Sequence, residues 1–223
     1  ASTPSDDDGL SVARLPEDRH IWRIAAPMIL SNVSVPLLGM VDTGVTGHLE
    51  SPVYLGAVAI GSTIFSFIYL GMNFLRMGTT GIAAQRFGAN DNDGLRVSLG
   101  QAIIVALLIA ALLISLQIPI GQVAVRLIGG EPAVQSFALE YFHIRIWSAP
   151  GTLANYVLIG WFLGLQNERV PLLIFLTINI TNIVLDLLFV IGLGMKVDVV
   201  ALASVIAEYS GLAGGLYFVG RSL

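Results

Sequence analysis

The sequence predicts an all-α integral membrane protein, organised as a bundle of six transmembrane helices. Of its 223 residues, 55% are hydrophobic and only 12% are charged, whereas a soluble domain carries about 25% charged residues. The apolar runs are long and continuous and show no alternation of period two, which favours helices over a membrane β-barrel. Helices also satisfy every backbone polar group within their own segment, as lipid requires.

The apolar segments set the expected domain organisation. Residues 1–19 are polar and include an acidic run at 6–8, so we expect a disordered cytoplasmic tail in front of a membrane unit at 20–223. A spanning helix needs about 20 apolar residues, because the hydrocarbon core is about 30 Å thick. Six segments satisfy this requirement, at about 21–47, 53–85, 95–120, 134–165, 172–194 and 199–219.

Prolines and short loops refine this arrangement. Pro27 and Pro36 fall inside the first segment, and each removes a backbone hydrogen bond, so this helix is expected to be kinked or bendable. Pro150 is expected to do the same to the fourth segment. The loops between segments are short, which predicts antiparallel neighbours.

Basic residues predict the orientation in the membrane. If the six helices alternate in direction, seven arginines lie on one side and two basic residues on the other. The larger group is Arg14, Arg19, Arg23, Arg86, Arg96, Arg169 and Arg221, and the smaller is Arg126 and Lys196. Because cytoplasmic loops carry the excess of Lys and Arg, we expect a multi-pass protein of the plasma (inner) membrane with both termini in the cytoplasm.

Asp42 is the most informative residue of the first segment. It is the only charged residue between Arg23 and His48, and a carboxylate at the centre of a spanning helix costs about 2.5–3.5 kcal/mol on insertion scales. A helix that only spans the membrane has no need of it. We interpret Asp42 as a site for a proton, an ion or a cationic substrate; the alternative is an acid near the helix end that reaches interfacial water.

A second polar group lies in the fifth segment. Asn179, Asn182 and Asp186 are spaced by three and four residues, which places them on one face of a helix. The asparagines alone are equally typical of contacts between helices. With Asp186 on the same face, we interpret the group as a functional site that faces the bundle interior or a water-filled cavity.

Asp42 and Asp186 are therefore expected to act together, with Asn182, as a cation site. Two acids in apolar settings can exchange protons, or they can hold Na⁺ with help from Asn182 and backbone carbonyls, and the residue types do not separate these alternatives. Glu208 is a third acid in an apolar segment, either functional or close to the cytoplasmic end. Candidates for the walls of a substrate cavity are Asn179, Tyr141, Asn155, Tyr156, Met28 and Met40.

Other chemistries find no support in the sequence. There is no cysteine, the three histidines are scattered, and no glycine-rich phosphate loop is present, so we expect no cofactor, no metal centre beyond a Na⁺ site, and no ATP-driven transport by this chain alone. No pairing of a nucleophile with a base points to an enzyme. The lipid bilayer is the expected surrounding, and no nucleic-acid partner is expected.

Short motifs occur from about Trp22 to the end of the chain. They are APMILSN at 26–32, PL at 36–37, VDT at 41–43, GHL at 47–49, YLGAV at 54–58, FLRMGTTG at 74–81, AQ at 84–85, GWFLGLQ at 160–166 and NIVLD at 182–186. Taken together they resemble the multidrug and toxic compound extrusion (MATE) family, and most closely its DinF-type branch.

This resemblance implies export of small organic compounds coupled to H⁺ or Na⁺. It implies that Asp42 is the coupling residue, that Asn182 and Asp186 belong to the same network, and that protonation bends the first helix at Pro36. Family members have twelve helices in two lobes, so the chain resembles the N-terminal lobe alone. Its expected partner is then a C-terminal lobe or a second copy of the chain.

Two departures from the family pattern accompany the resemblance. Residues 197–200 read VDVV where similar proteins carry small residues, and Ser204 stands near the position of a usual Thr. The alternative functions are a lipid or polysaccharide-precursor flippase of the same wider superfamily, and a membrane scaffold that does not transport.

Overall fold

The computed structural model describes residues 52–192 and 197–222. The expectations for the tail at 1–19, the first segment at 21–47 and the residues Met28, Pro36, Met40 and Asp42 lie outside the described residues. Within them, eight α-helices follow one another. They are α1 Pro52–Gly71, α2 Phe74–Gly88, α3 Asn92–Ser115, α4 Gln117–Ile128, α5 Pro132–Arg145, α6 Ala149–Gly164, α7 Arg169–Asp186 and α8 Val197–Ser222.

The described helices have the composition of membrane spans. Four stretches are long and apolar enough to cross a bilayer: 52–88, 92–115, 169–190 and 197–222. Large apolar side chains point outward along them, with Phe67 and Leu70 71% exposed. Because such a surface is stable in lipid and not in water, the predicted all-α integral membrane class is confirmed.

Several expected segments are divided by short irregular turns. The 53–85 stretch contains a turn at Met72 and Asn73 between α1 and α2, and the 95–120 stretch contains a junction at Leu116 between α3 and α4. At the end of α4, Gly129 has a φ of 78°, a conformation that is open to glycine and strained for other residues. Pro132 then occupies the first turn of α5, where its missing N–H is not needed.

The 134–165 stretch is interrupted near its proline. A 3-10 turn at Ile146–Ser148 separates α5 from α6, and Pro150 lies in the first turn of α6. The proline has no N–H to continue the hydrogen-bond ladder of α5 into α6. The bend predicted at this proline therefore takes the form of a local 3-10 break.

Helix α6 is the centre of the described bundle. Thirteen of its sixteen residues are buried, and it contacts α2, α3, α7 and α8. The Trp161 side chain is fully buried, and its Nε1 donates to the backbone oxygen of Leu95 in α3 at 3.3 Å. Two further extensive contacts, of α1 with α5 and of α7 with α8, complete the packing.

Two glycines allow α6 to lie directly against α2. A Cβ atom added at Gly160 would lie 2.4 Å from the backbone oxygen of Arg76, and one added at Gly164 would lie 2.6 Å from the Cβ of Ala83. Small residues at such positions let membrane helices approach closely, which increases their van der Waals contact.

Candidate functional site

The polar stripe predicted on the fifth segment lies on α7 and faces inward. Asn179, Asn182 and Asp186 are all buried, with Asp186 only 1% exposed. The remaining surface of α7 is largely apolar, and Ile180 and Val184 are more than half exposed. The spacing of three and four residues therefore predicted the shared face correctly.

Helix α8 supplies the partner of this stripe. The Nδ2 of Asn182 donates to the Oγ of Ser204 at 3.4 Å, and Ser204 donates in turn to the Val200 carbonyl of its own helix at 3.2 Å. A second bond joins the same helices, from Ser210 Oγ to Thr181 Oγ1 at 3.2 Å. Ser204 is thus the residue that completes the stripe on the side of α8.

Asp186 lies at a change of helix type. It is the last residue of α7, and residues Leu187–Gly192 continue as a π-helical turn. In a π turn the hydrogen bonds run from residue i to i+5, which rearranges backbone carbonyls near the helix end, and such turns occur frequently at functional sites. The carboxylate is therefore held next to irregular backbone inside the membrane unit.

Asn179 has an unused donor at the other end of the stripe. Its Nδ2 is buried and has no hydrogen-bond partner among the described residues. A buried amide without a partner costs about 1–3 kcal/mol, so this nitrogen is a candidate contact for a polar group of another segment or of a ligand.

A second polar cluster connects α1, α6 and α8. The Nδ2 of Asn155 donates to both the backbone oxygen of Glu208 at 2.9 Å and its Oε2 at 3.0 Å. Tyr69 and Ser148 hydrogen-bond through their hydroxyls at 3.0 Å, and the Tyr156 ring lies edge-on to the Tyr69 ring at 6.4 Å. Of the predicted cavity residues, Asn155 and Tyr156 thus belong to this cluster.

Tyr141 belongs to a third group, at the contact of α1 with α5. The Arg145 Nη1 donates to the Tyr141 hydroxyl and lies 3.4 Å from the Ser62 Oγ, and the Arg145 guanidinium lies 5.2 Å from the centre of the Phe65 ring. The buried Tyr141 ring fits against Gly61, where a Cβ would lie 2.2 Å from it. Arg145 is thus held by a hydroxyl pair and an aromatic face, a cation–π arrangement.

Sequence reasoning did not assign the partners in these clusters. A polar residue within an apolar segment is a signal of a functional position, and it indicates Glu208 and Ser204 in the same way as Asp186. This signal does not say which residue of another helix is the partner. Glu208 and Asn155 are 53 residues apart, so their pairing depends on how α6 packs against α8. The cation–π contact of Arg145 with Phe65 joins two distant segments and has no local sequence signal, whereas its contact with Tyr141, four residues earlier on α5, follows from the helical repeat.

A polar contact outside the spans fixes the connection between α2 and α3. Asp91 accepts a hydrogen bond from the Gly94 backbone N–H at 2.9 Å as the N-cap of α3, and it forms an ion pair with Arg86 at 2.7 Å. The Gly94 amide, and then the Arg86 guanidinium, hold the pKa of the Asp91 carboxyl below its ordinary value.

We expect Asp91→Ala to lower the thermal stability slightly at neutral pH, since it removes both the cap and the ion pair. A pKa that is lowered in the folded protein stabilises it above the unfolded-state pKa, and this contribution is lost as the pH falls through the folded-state pKa. The difference in Tm between parent and variant should therefore shrink in acid. Asp93→Ala, in the same helical turn, is the matched control. If the difference in Tm were the same at neutral and acid pH, the charge of Asp91 would not contribute to stability as described.

The comparisons with known proteins come from both sequence and structure. Residues 27–188 match the MatE family profile. The chain is 49% identical to DNA damage-inducible protein F of Escherichia coli K12 over 206 residues, which are 92% of this chain and 45% of that protein. It is 29% identical to the probable multidrug resistance protein NorM of Bacillus subtilis 168, with 78% of this chain and 38% of that protein covered.

A solved relative has the same fold. The crystal structure of MATE in complex with MaD5 superimposes with a TM-score of 0.82 at 25% identity, over 97% of this chain and 49% of that one. The chain spans less than half the length of the curated relatives named here, which fits one lobe of a two-lobe transporter. Members of this family, such as the multidrug resistance protein MdtK, are transporters and not enzymes, and the chain is itself a multi-pass membrane protein. Since the profile covers most of its length, the chain belongs to the MatE family.

Proposed function

We propose that this chain forms the cation-coupling half of an exporter of small organic compounds. Asp42, Asn182 and Asp186 bind the coupling ion, either H⁺ or Na⁺. The observation that carries the proposal is the buried stripe Asn179, Asn182 and Asp186 on a helix that can span the membrane, bonded through Asn182 to Ser204. Ionisable groups in such a position are costly, and they mark ion and proton pathways.

The chemistry of the stripe fits either ion. A carboxylate takes up H⁺ directly, whereas Na⁺ needs several oxygen ligands, which Asp186, the amide oxygens, Ser204 and the carbonyls next to the π turn can supply. Cation binding neutralises the acid, so the occupied and empty states differ in the polarity of the inner wall. Bending of the first helix at Pro36 is the proposed response to that difference.

The substrate cavity is proposed to lie beside this stripe. Asn179 of the stripe and Asn155 and Tyr156 of α6, together with Met28 and Met40, would form its wall. Tyr141 is not included, because it packs against Gly61 at the contact of α1 with α5. Aromatic faces and methionines suit varied apolar or cationic compounds. The relatives named for multidrug resistance support organic substrates of this kind.

The opposite wall of the cavity comes from outside the chain. Alternating access needs two halves that move against each other around a central site. We propose that a C-terminal lobe or a second copy of this chain provides the second half. The assembly lies in the plasma (inner) membrane with both termini in the cytoplasm, in accord with the positive charges of Arg86, Arg96, Arg169 and Arg221.

A double-mutant cycle tests whether Asn182 and Asp186 act as one site. Asn182→Ala and Asp186→Asn are assayed singly and together for the Na⁺ and pH dependence of transport, in cells that express the complete gene containing this sequence. We expect each to change the ion dependence, and their effects to be non-additive by at least about 0.5 kcal/mol, as for residues in one network.

Thr177→Val is the matched control for this cycle. Thr177 is a polar residue of the same helix that lies on a different face, and within the described part of the chain its hydroxyl donates to the carbonyl of Leu173 at 2.8 Å. We expect it to leave the ion dependence unchanged. Simple additivity of the Asn182 and Asp186 variants, or an equal effect of the control, would count against a shared cation site.

A further inference from the structure

Glu208 is a partly buried acid that the proposed coupling site does not use. It lies in the middle of α8, a helix of 26 residues that can span the membrane. Its carboxylate contacts α6, whereas the stripe of Asn182 and Asp186 is on α7. A carboxylate at such a depth has a cost that packing alone does not offset.

The contact with α6 is built around Asn155, which is 1% exposed. Its Nδ2 donates to both the backbone oxygen and the Oε2 of Glu208, so both of its hydrogens are used. Gly151 lies one turn earlier on α6 and next to the Glu208 backbone, since a Cβ added there would lie 3.4 Å from the Glu208 carbonyl carbon. The arrangement holds the carboxylate in one place.

The same amide has an acceptor without a donor. The Oδ1 of Asn155 is buried and has no hydrogen-bond partner among the described residues. A charged carboxylate can only accept hydrogen bonds, so it leaves this oxygen unsatisfied, whereas a protonated carboxyl carries one O–H donor. A proton on Glu208 would therefore supply a donor for this oxygen. The Thr152 hydroxyl is likewise buried and without a partner among the described residues, so the cluster has room for one further hydrogen bond.

From this geometry we propose that Glu208 and Asn155 form a second proton-binding site, separate from the stripe on α7. The proton is taken up by a carboxylate oxygen of Glu208, and the resulting O–H donates to Asn155 Oδ1 after a small rotation of either side chain. No bond other than O–H is made or broken. This site is distinct from the proposed coupling residues, and its existence does not depend on them.

The groups around Glu208 define its electrostatic setting. Among the described elements packed against this part of α8, those in electrostatic range are Tyr69 of α1, Arg145 of α5 and Tyr156 of α6. The hydroxyl of Thr152, three residues before Asn155 on α6, is a further neutral neighbour. The contacts of α7 with this part of α8 are also neutral, through Thr181 and Ser210.

The location gives the site a mechanical consequence. Tyr209, next to Glu208, donates its hydroxyl to the Trp147 carbonyl at 3.0 Å. Trp147 lies in the 3-10 break that precedes α6. Two consecutive residues of α8 therefore contact the break itself, through Trp147, and the helix that follows it, through Asn155. A change of protonation at Glu208 alters the second of these contacts. Ser204 is one turn away on the same face of α8, so the second site is also adjacent to the first.

Infrared difference spectroscopy of the purified protein in lipid nanodiscs tests the proposal, because the carbonyl stretch of a protonated carboxyl is separate from that of a carboxylate. We expect a carboxyl band that appears and disappears reversibly with pH in the parent and is absent in Glu208→Gln. Glu208→Gln keeps an acceptor for Asn155 Nδ2, so it should fold. Bands from Asp42 and Asp186 remain in both proteins and are subtracted.

Asn155→Ala separates this site from a merely structural role. It removes both the donor to the charged carboxylate and the acceptor for the protonated carboxyl. The carbonyl stretch of protonated Glu208 should therefore shift in frequency, because its O–H loses its partner, and the midpoint pH of the band should change. Thr177→Val is the control and should leave the midpoint unchanged. Three results would overturn the proposal: no band that depends on Glu208, a midpoint unaffected by Asn155→Ala, or loss of the band on addition of Na⁺ at fixed pH. None of them bears on the stripe of α7, since its residues are unaltered.

Discussion

We expect Asp42→Asn to abolish export driven by an ion gradient while the protein remains folded. Asp42 is the only charged residue between Arg23 and His48, and an amide of the same shape can neither take up a proton nor neutralise Na⁺. A carboxylate at the centre of a spanning helix costs about 2.5–3.5 kcal/mol, so we expect an acid in this segment to have a role in coupling. The loss should be complete for transport against a gradient.

Uptake of a fluorescent cationic dye into inverted membrane vesicles measures this effect. The vesicles carry the complete gene product, energised with a H⁺ gradient in one arm and a Na⁺ gradient in the other. Asp42→Glu is the matched variant that keeps the charge, and it should retain part of the activity. A folded Asp42→Asn protein that transports the dye at the parent rate with either gradient would contradict the assignment of Asp42 as the coupling residue.

The largest effect on stability is expected at Gly160. An alanine Cβ there would lie 2.4 Å from the backbone oxygen of Arg76, and a backbone atom cannot rotate away as a flexible side chain can. Overpacking of this kind costs about 1–3 kcal/mol, occasionally more. Because α6 is the central helix, the damage should spread to its contacts with α2 and α3. We therefore expect Gly160→Ala to lower Tm by several degrees, at about 2–4 °C per kcal/mol.

Gly78→Ala provides the comparison on the facing helix. A Cβ at Gly78 would meet no atom within 4 Å, and alanine is the better helix former by about 1 kcal/mol. This variant should unfold at the same or a slightly higher temperature than the parent. The Tm values of the two variants and of the parent are measured by thermal unfolding in detergent, followed by intrinsic fluorescence. If Gly160→Ala and Gly78→Ala had equal Tm values, α2 and α6 would not pack as described.

Local patterns predicted those features that depend on one segment. The spacing of Asn179, Asn182 and Asp186 is sufficient to place them on one face, and the structure buries all three. Pro150 indicated a bend in the fourth segment because it lacks an N–H, and a 3-10 break lies directly before α6. These inferences needed only the helical repeat and the covalent structure of one residue.

Features that depend on two segments were not predictable in the same way. The bond between Asn155 and Glu208 requires α6 and α8 to approach each other at one level, and no spacing within either helix specifies this. Gly160 and Gly78 look alike in sequence, yet only the first lies against a neighbouring backbone. The π turn at Leu187–Gly192 also lies in an apolar run that contains no residue typical of a change in helix type. Packing, and not local preference, determines each of them.

The central claim is that the acids of the first segment and of α7 bind the coupling cation. Release of that cation when substrate binds tests it most directly. The purified complete gene product is mixed with a cationic dye in weakly buffered solution, and released H⁺ and Na⁺ are measured with a pH indicator and a Na⁺-selective electrode. The account predicts release of one of the two ions by the parent and by Thr177→Val, and none by a folded Asp42→Asn, Asp186→Asn double variant. Equal release by the parent and the double variant would contradict it.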